Sequence, residues 1–204
     1  HRKVAAFDER VVYLGGINFS EHNFAWHDMM LRVESPELAT LMAHDFRASW
    51  EGRPLAFDRT VGPLRVIGLH GRGNPRGFRP LIEALEGATR TIDVVSAYLS
   101  HPFTDHLARA RVRGVRVRVL MPDRNNKSNL ARHILERASR SGFEVLRHPS
   151  GMSHMKAMVI DERVLVVGSS NFDFMSYHIL EEHVILTRER DLVEAFVERV
   201  WKPD

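Results

Sequence analysis

The sequence predicts an α/β fold in which mixed β-sheets are covered by helices, and three observations predict it. The opening segment HRKVAAFDERVVYLGGINF recurs as HMKAMVIDERVLVVGSSNF from His154, a shift of 153 residues; a repeat at fixed offset signals a duplicated structural unit. Between the copies, short apolar runs alternate with longer amphipathic stretches, the pattern of strands alternating with helices. The composition, 204 residues with 44% hydrophobic and 27% charged side chains, is too apolar for a disordered chain and long enough for one large core or two modest ones.

Taken in order, each copy of the repeat reads as two apolar strands joined by a tight Asp-Glu-Arg turn and followed by a Gly-rich corner, so that alternate residues such as His and Lys share one sheet face. The first copy continues into a strand, Met29–Val33, and a helix from Pro36 to about Trp50 that Ser35 caps, with Pro36 at its first position. Leu64–Gly68 is a short strand, Phe78–Leu85 a helix, Thr91–Ala97 a buried strand and Phe103–Val112 a helix closed by Gly114. Val115–Met121 is the next strand, stopped by Pro122; Lys127–Ser141 is a helix ended by Gly142, and Phe143–Arg147 a strand. After the second copy come a strand at His183–Thr187 and a final helix, Asp191–Val200. Strand–helix units precede the second copy from Arg53 to Ser153, whereas the first copy has none before it. The expected organisation is therefore the end of a first lobe, 1–52, followed by a complete second lobe, 53–204, with the upstream half of the first lobe missing from this chain.

Composition excludes several chemistries. With no cysteine there is no disulfide scaffold, iron–sulfur cluster, thiolate zinc site or cysteine nucleophile. No uninterrupted apolar run approaches the ~18 to 20 residues of a membrane-spanning helix. The net charge is only +3, but Arg109, Arg111, Arg113, Arg116 and Arg118 fall close together. Solvated charge is the commoner reading of such a cluster, and an anionic partner the sharper one. His22, His27, His44, His70, His101, His106, His133, His148, His178 and His183 show no paired metal-ligand spacing and are assigned no role. Gly71–Gly77 lacks the Gly-Lys-Ser/Thr ending of a phosphate loop and reads as a flexible connector near the site. Met152, Met155, Met158 and Met175 read as core filling by default, with an adaptable wall for acyl chains as the alternative.

Besides the Glu and Arg of the Asp-Glu-Arg turns, the repeated polar residues are His1 and His154, Lys3 and Lys156, Asp8 and Asp161, and Asn18 and Asn171. Cleaving a phosphodiester through a covalent intermediate needs a nucleophile, a proton donor for the leaving oxygen, and cations or donors around the developing charge. Two His, two Lys and two Asn supply that set. Imidazole attacks phosphorus, imidazolium protonates an alkoxide, and histidine holds both forms near neutrality. Lys3 and Lys156 serve as point charges on nonbridging oxygens, Asn18 and Asn171 as oriented donors, and neither a metal nor any other cofactor is required. The repeat is symmetric about which His attacks. Asp8 and Asp161 read as structural turn residues that bond local backbone.

H-x-K-x4-D followed by G-[GS]-x-N, present twice, resembles the HKD motif of the phospholipase D superfamily. Ser96-Ala97-Tyr98, Arg113-Gly114-Val115 and the strand ending at Pro122 further resemble the second lobe of bacterial cardiolipin synthases. The resemblance spans essentially the whole chain and implies the phospholipase D-like two-lobe fold, with the first lobe only partly present. It implies that His1 forms a phosphohistidine and that His154 is the acid, later the base. It also places a tautomer-fixing carboxylate at Glu182, 11 residues after Asn171, with Asp28, 10 after Asn18, as the first copy's candidate; Glu181 is the numerical counterpart of Asp28. Where the family's second motif continues N-F-D-x-R-S, this chain has Met175 at the Arg position, and Leu180 where an Asn often precedes the Glu. Gly16 stands where the second copy has Ser169, a substrate-binding candidate, so that hydroxyl exists in one lobe only.

The expected function is a phosphatidyltransferase acting on a phospholipid such as phosphatidylglycerol, at a membrane surface, expected to be the bacterial cytoplasmic membrane, with any anchor in the upstream segment. The runner-up is a phosphodiesterase or nuclease of the same fold. A non-catalytic module binding anionic lipid or nucleic acid is the third reading, and nothing in it would require His twice. Phe172, Phe174, Met175 and Tyr177 are expected to set apolar surface beside the phosphate site, which favours lipid over nucleic acid.

Overall fold

The computed structural model describes residues 1–149 and 151–201. Its first part is an antiparallel sheet of β1 (Val4–Phe7), β2 (Val11–Gly15) and β3 (Met30–Glu34), with a short α1 (Glu21–Phe24) before β3 and α2 (Pro36–Trp50) after it. The β1–β2 turn places Asp8 and Glu9 at φ 51° and 50°, and Asp161 and Glu162 repeat it at 54° each. Two consecutive left-handed residues make the hairpin turn whose twist matches the flanking strands. Ser35 accepts a hydrogen bond from the Leu38 amide at 3.2 Å, which starts α2.

The second part comprises β4 (Phe57–Val61), β5 (Leu64–His70), α3 (Asn74–Gly77), α4 (Arg79–Glu86), β6 (Thr91–Ser96), α5 (Phe103–Val112) and β7 (Arg116–Pro122). It continues with α6 (Ser128–Ser141), β8 (Glu144–His148), β9 (Lys156–Ile160), β10 (Val164–Gly168), α7 (Phe174–His178), β11 (Glu181–Thr187), α8 (Arg190–Phe196) and a π-helical turn, Val197–Trp201. Its eight strands lie in the order β4-β5-β11-β10-β9-β6-β7-β8. Only β6–β7 and β7–β8 pair in parallel, each joined by a helix, and the remaining pairs are antiparallel.

Strand alternation divides this sheet between two cores. Val94, Val119, Met158 and Val166 face the core that includes Phe78, Leu81, Phe103 and Ile134 from the helices. Val95, Leu120, Ala157, Val159, Leu165 and Val167 face the other, where Val12 and Leu14 of β2, Leu38 and Met42 of α2, and Phe196 and Trp201 meet them. The small sheet and α2 thus pack on one face of the large sheet, which brings the two copies of the repeat against each other.

Register resolves the one-residue ambiguity of the carboxylates. Val4 pairs with Leu14 and Ala157 with Val167, the same register in both copies. Beyond the Gly corner, Gly15 pairs with Met30 but Gly168 with Val184, so the second copy is one residue longer there. Asp28 is therefore the structural counterpart of Glu182, and Met29 that of His183.

Several expectations are corrected. Gly71–Gly77 is not a flexible connector: buried Asn74 accepts from the Gly71 amide at 3.0 Å and donates to the carbonyls of Ser176 and Leu180 at 2.9 and 2.8 Å. Phe172 is buried, and Tyr177 packs against the core, leaving Phe174 and Met175 exposed. The Arg109–Arg118 cluster, read as solvated charge, keeps Arg116 exposed while its members also bond within the fold. Arg116 pairs with Glu144 and Arg118 with Asp93, while Arg111 and Arg113 bind backbone carbonyls. Asp161 bonds not its own turn but the amides of Thr89, Arg90 and Thr91 at 2.7–2.9 Å, holding the start of β6. The final helix loosens into π geometry after Phe196.

Candidate active site

His1 and Lys3 lie on the segment entering β1, while His154 precedes β9 and Lys156 is its first residue. Both pairs reach the end of their strands where the Gly corners turn. Gly15 and Gly168 are required there, since a Cβ would come within 2.4 Å of the Met29 carbonyl and 2.2 Å of the His183 carbonyl. That close approach delivers Asp28 and Glu182 to the site.

The carboxylates cross between copies. His1 Nδ1 lies 2.8 Å from Glu182 Oε1, and His154 Nδ1 lies 2.8 Å from Asp28 Oδ2. Each imidazole is therefore held through Nδ1; Nε2 of His1 is left to face a ligand, whereas Nε2 of His154 also lies 3.0 Å from Lys156 Nζ. Glu182 is fully buried, and burial pushes its carboxyl above the ordinary carboxylate range against the pull of its hydroxyl donors. Those donors are Ser169 Oγ at 2.6 Å and Ser176 Oγ at 2.9 Å. Asp28 accepts from the Met29 amide at 2.8 Å. Glu181 is half exposed.

The cations converge on the same place. Buried Lys3 donates to the His1 carbonyl at 2.5 Å. Lys156 donates to the His154 carbonyl, and its Nζ lies 2.8 and 3.0 Å from His154 Nδ1 and Nε2 and 3.9 Å from Asp28. Burial lowers both ammonium groups, Lys156 to about 7. Burial likewise lowers His154, partly countered by its bond to Asp28. Asn171 is buried and Asn18 half-buried, each one turn of chain beyond its Gly corner. The arrangement offers two imidazoles, each held by the other copy's carboxylate, with two buried lysines beside them.

The expected His, Lys and carboxylate positions are thus brought together. Asp8 and Asp161 sit at the distal turns of their hairpins and do not join the site. Ser176, Trp26 and Tyr98 received no role in the sequence reading. Ser176 was legible in the N-F-D-x-R-S pattern. Tyr98 lies in the Ser96-Ala97-Tyr98 segment that carries the resemblance, whereas Trp26 carries no local signal; their rings are 5.9 and 5.2 Å from that of His154.

Residues 81–202 match the family model described as "Cardiolipin synthase, PLD-like domain". The chain is 30% identical to cardiolipin synthase A of Pseudomonas entomophila (strain L48), over 100% of this chain and 47% of that protein. With cardiolipin synthase A of Pseudomonas fluorescens (strain SBW25) it is 28% identical, over 98% of this chain and 45% of that protein. The chain thus spans about half the length of these curated relatives. Among solved structures, phosphatidylserine synthase of Haemophilus influenzae Rd KW20 superposes with a TM-score of 0.70 at 16% identity, covering 98% of this chain and 60% of that one. Nuc, a phospholipase D family member from Salmonella typhimurium, gives 0.56 at 21% identity, covering 66% and 88%. These two similarities concern the fold.

Proposed function

The chain belongs to the phospholipase D-like family whose model is described by cardiolipin synthase, and we propose that it carries the catalytic centre of a phosphatidyltransferase acting on phospholipid phosphodiesters. The observation that carries this reading is the crossed pairing of two histidines with two carboxylates beside two buried lysines.

His1, its Nδ1–H held by Glu182, presents Nε2 to phosphorus. A bond forms from that nitrogen to phosphorus as the bond from phosphorus to the first alkoxide breaks. His154 gives the departing oxygen a proton, leaving a phosphohistidine on His1 and a neutral imidazole at 154. That imidazole then takes the proton of an incoming lipid hydroxyl, whose oxygen attacks phosphorus and returns His1 to its free state. Lys3 and Lys156 neutralise the nonbridging oxygens in both steps, with Asn18 and Asn171 as donors, so charge is met by groups already in place.

The substrate class is argued from the rim. Phe19 and Phe24 after the first Gly corner, and Phe174, Met175 and Ile179 after the second, are exposed, an apolar border that suits a lipid surface. No helix among the described residues is long and apolar enough to cross a membrane, so contact through this rim is the membrane association proposed here. The test is a product profile. The protein at its natural full length, given phosphatidylglycerol in mixed micelles with a primary alcohol, is expected to yield the phosphatidyl-alcohol. Rapid cleavage of DNA at physiological salt without action on lipid would make it a nuclease instead.

A further inference from the structure

Beside the crossed site lies a second buried cluster that the mechanism does not use. Arg2, between His1 and Lys3, sends Nη1 to Asp45 Oδ1 at 2.9 Å and to Ser49 Oγ at 2.6 Å. Its Nη2 binds the carbonyls of Leu55 and Leu69 at 3.0 and 2.8 Å. His183, the neighbour of Glu182, bonds through Nε2 to the other oxygen of Asp45 at 2.9 Å. Asp45 and His183 are buried, and Arg2 Nε and His183 Nδ1 have no partner. A buried ionic cluster with one unmet donor, Arg2 Nε, and one unmet acceptor, His183 Nδ1, is a costly way to fill space, since apolar side chains of similar volume serve stability as well or better.

Its placement gives it a use. Arg2 fixes the segment bearing His1, His183 fixes the strand bearing Glu182, and one carboxylate on α2 ties both. The other half of the site has no such device: the counterparts of Arg2 and His183 are Met155, buried in the apolar core, and Met29, partly buried against it. The repeat is therefore symmetric in its reacting groups and asymmetric in what holds them.

We infer that Asp45, acting through Arg2 and His183, is a positioning residue that holds the His1–Glu182 pair in reacting geometry and sets that half of the site apart from its counterpart. This rests on the phosphatidyltransferase reading above. The Glu182 carboxylate meets His1 from a different segment of the chain, so a shift of either segment lengthens the bond that fixes the His1 tautomer.

The decisive variant copies the other half of the site: Arg2→Met, Asp45→Leu and His183→Met together, in the full-length protein, assayed for transfer from phosphatidylglycerol. Removing the Arg2–Asp45 ion pair together with His183 strands no buried charge, Glu181 being partly exposed, so the variant is expected to fold and to melt cooperatively. The turnover number is expected to fall about ten- to a hundredfold with KM little changed, as for other orienting partners. Asp45→Asn, which keeps shape and removes charge, is expected to lower the turnover number and displace the pH profile; the groups facing Asp45 are Arg2 and His183, with Glu181 3.5 Å from Arg2. Parent-like turnover and pH profile in the triple variant, or in Asp45→Asn if the triple variant does not fold, overturns the inference. His1→Ala, run in parallel, separates the two readings: if it too retains turnover, the catalytic reading fails, and if it alone is inactive, only the positioning role fails.

Discussion

Gly16 and Ser169 occupy the same place in the two copies, and their difference follows from the carboxylates they face. A Cβ on Gly16 would fall 2.2 Å from Asp28 Oδ1, so the short aspartate is accommodated by the absence of a side chain. The longer Glu182 leaves room for Ser169, whose hydroxyl then becomes its donor. The two positions thus compensate each other in size. Lys156 carries the testable consequence at this scale. Burial brings its ammonium to about 7, so between about pH 7 and its ordinary value near 10.5 the unfolded chain binds more protons and stability rises with pH. A bound oxyanion reverses the shift by favouring the charged form. Calorimetric titration with tungstate at pH 8, in buffers of different ionisation enthalpy, is expected to show uptake of about one proton per site. A binding heat independent of the buffer would contradict this, as would loss of the uptake failing to accompany Lys156→Met.

Among the elements, the hairpin of the second copy is held by Asp161. Burial alone would raise its carboxyl, but the amides of Thr89, Arg90 and Thr91 and the Thr89 hydroxyl draw it below the ordinary value. A depressed folded pKa adds stability that is present above the unfolded pKa and lost as pH falls through the folded one. Asp161→Ala is expected to cost about 1–3 kcal/mol with turnover of the folded fraction unchanged, read from denaturant melts near neutral pH and again in acid, where the difference from the parent should shrink. Exposed Asp8 makes a milder case. The elements were legible in the sequence where pattern is local: α5 and the Ser35-capped α2 follow from apolar spacing and capping. β4, α1 and α7 were not. Phe57–Val61 is mostly polar along its exposed edge, and helices of four or five residues leave too few turns to show a period.

At the scale of the molecule, one large sheet and one small sheet pack so that each histidine is served by the other copy's carboxylate. Repeat arithmetic brought His1, Lys3, His154 and Lys156 into one candidate set because those residues recur at a fixed shift. It could not give the crossing, which joins residues 181 and 126 positions apart, nor the tie from Asp45 to His183 across 138, since contacts of that span leave no trace in local periodicity. The central claim is that His1 attacks and His154 moves the proton, and the direct measurement is acid-labile phosphate on the protein. Full-length enzyme quenched during turnover of phosphatidylglycerol labelled in its phosphate, digested and mapped, is expected to carry label on the peptide containing His1. His154→Ala should retain that label while turning over orders of magnitude more slowly, because one half of an attack-and-protonation pair disables the unit, and His1→Ala should carry none. Turnover that proceeds without labelled His1, or label that persists in His1→Ala, would contradict the account.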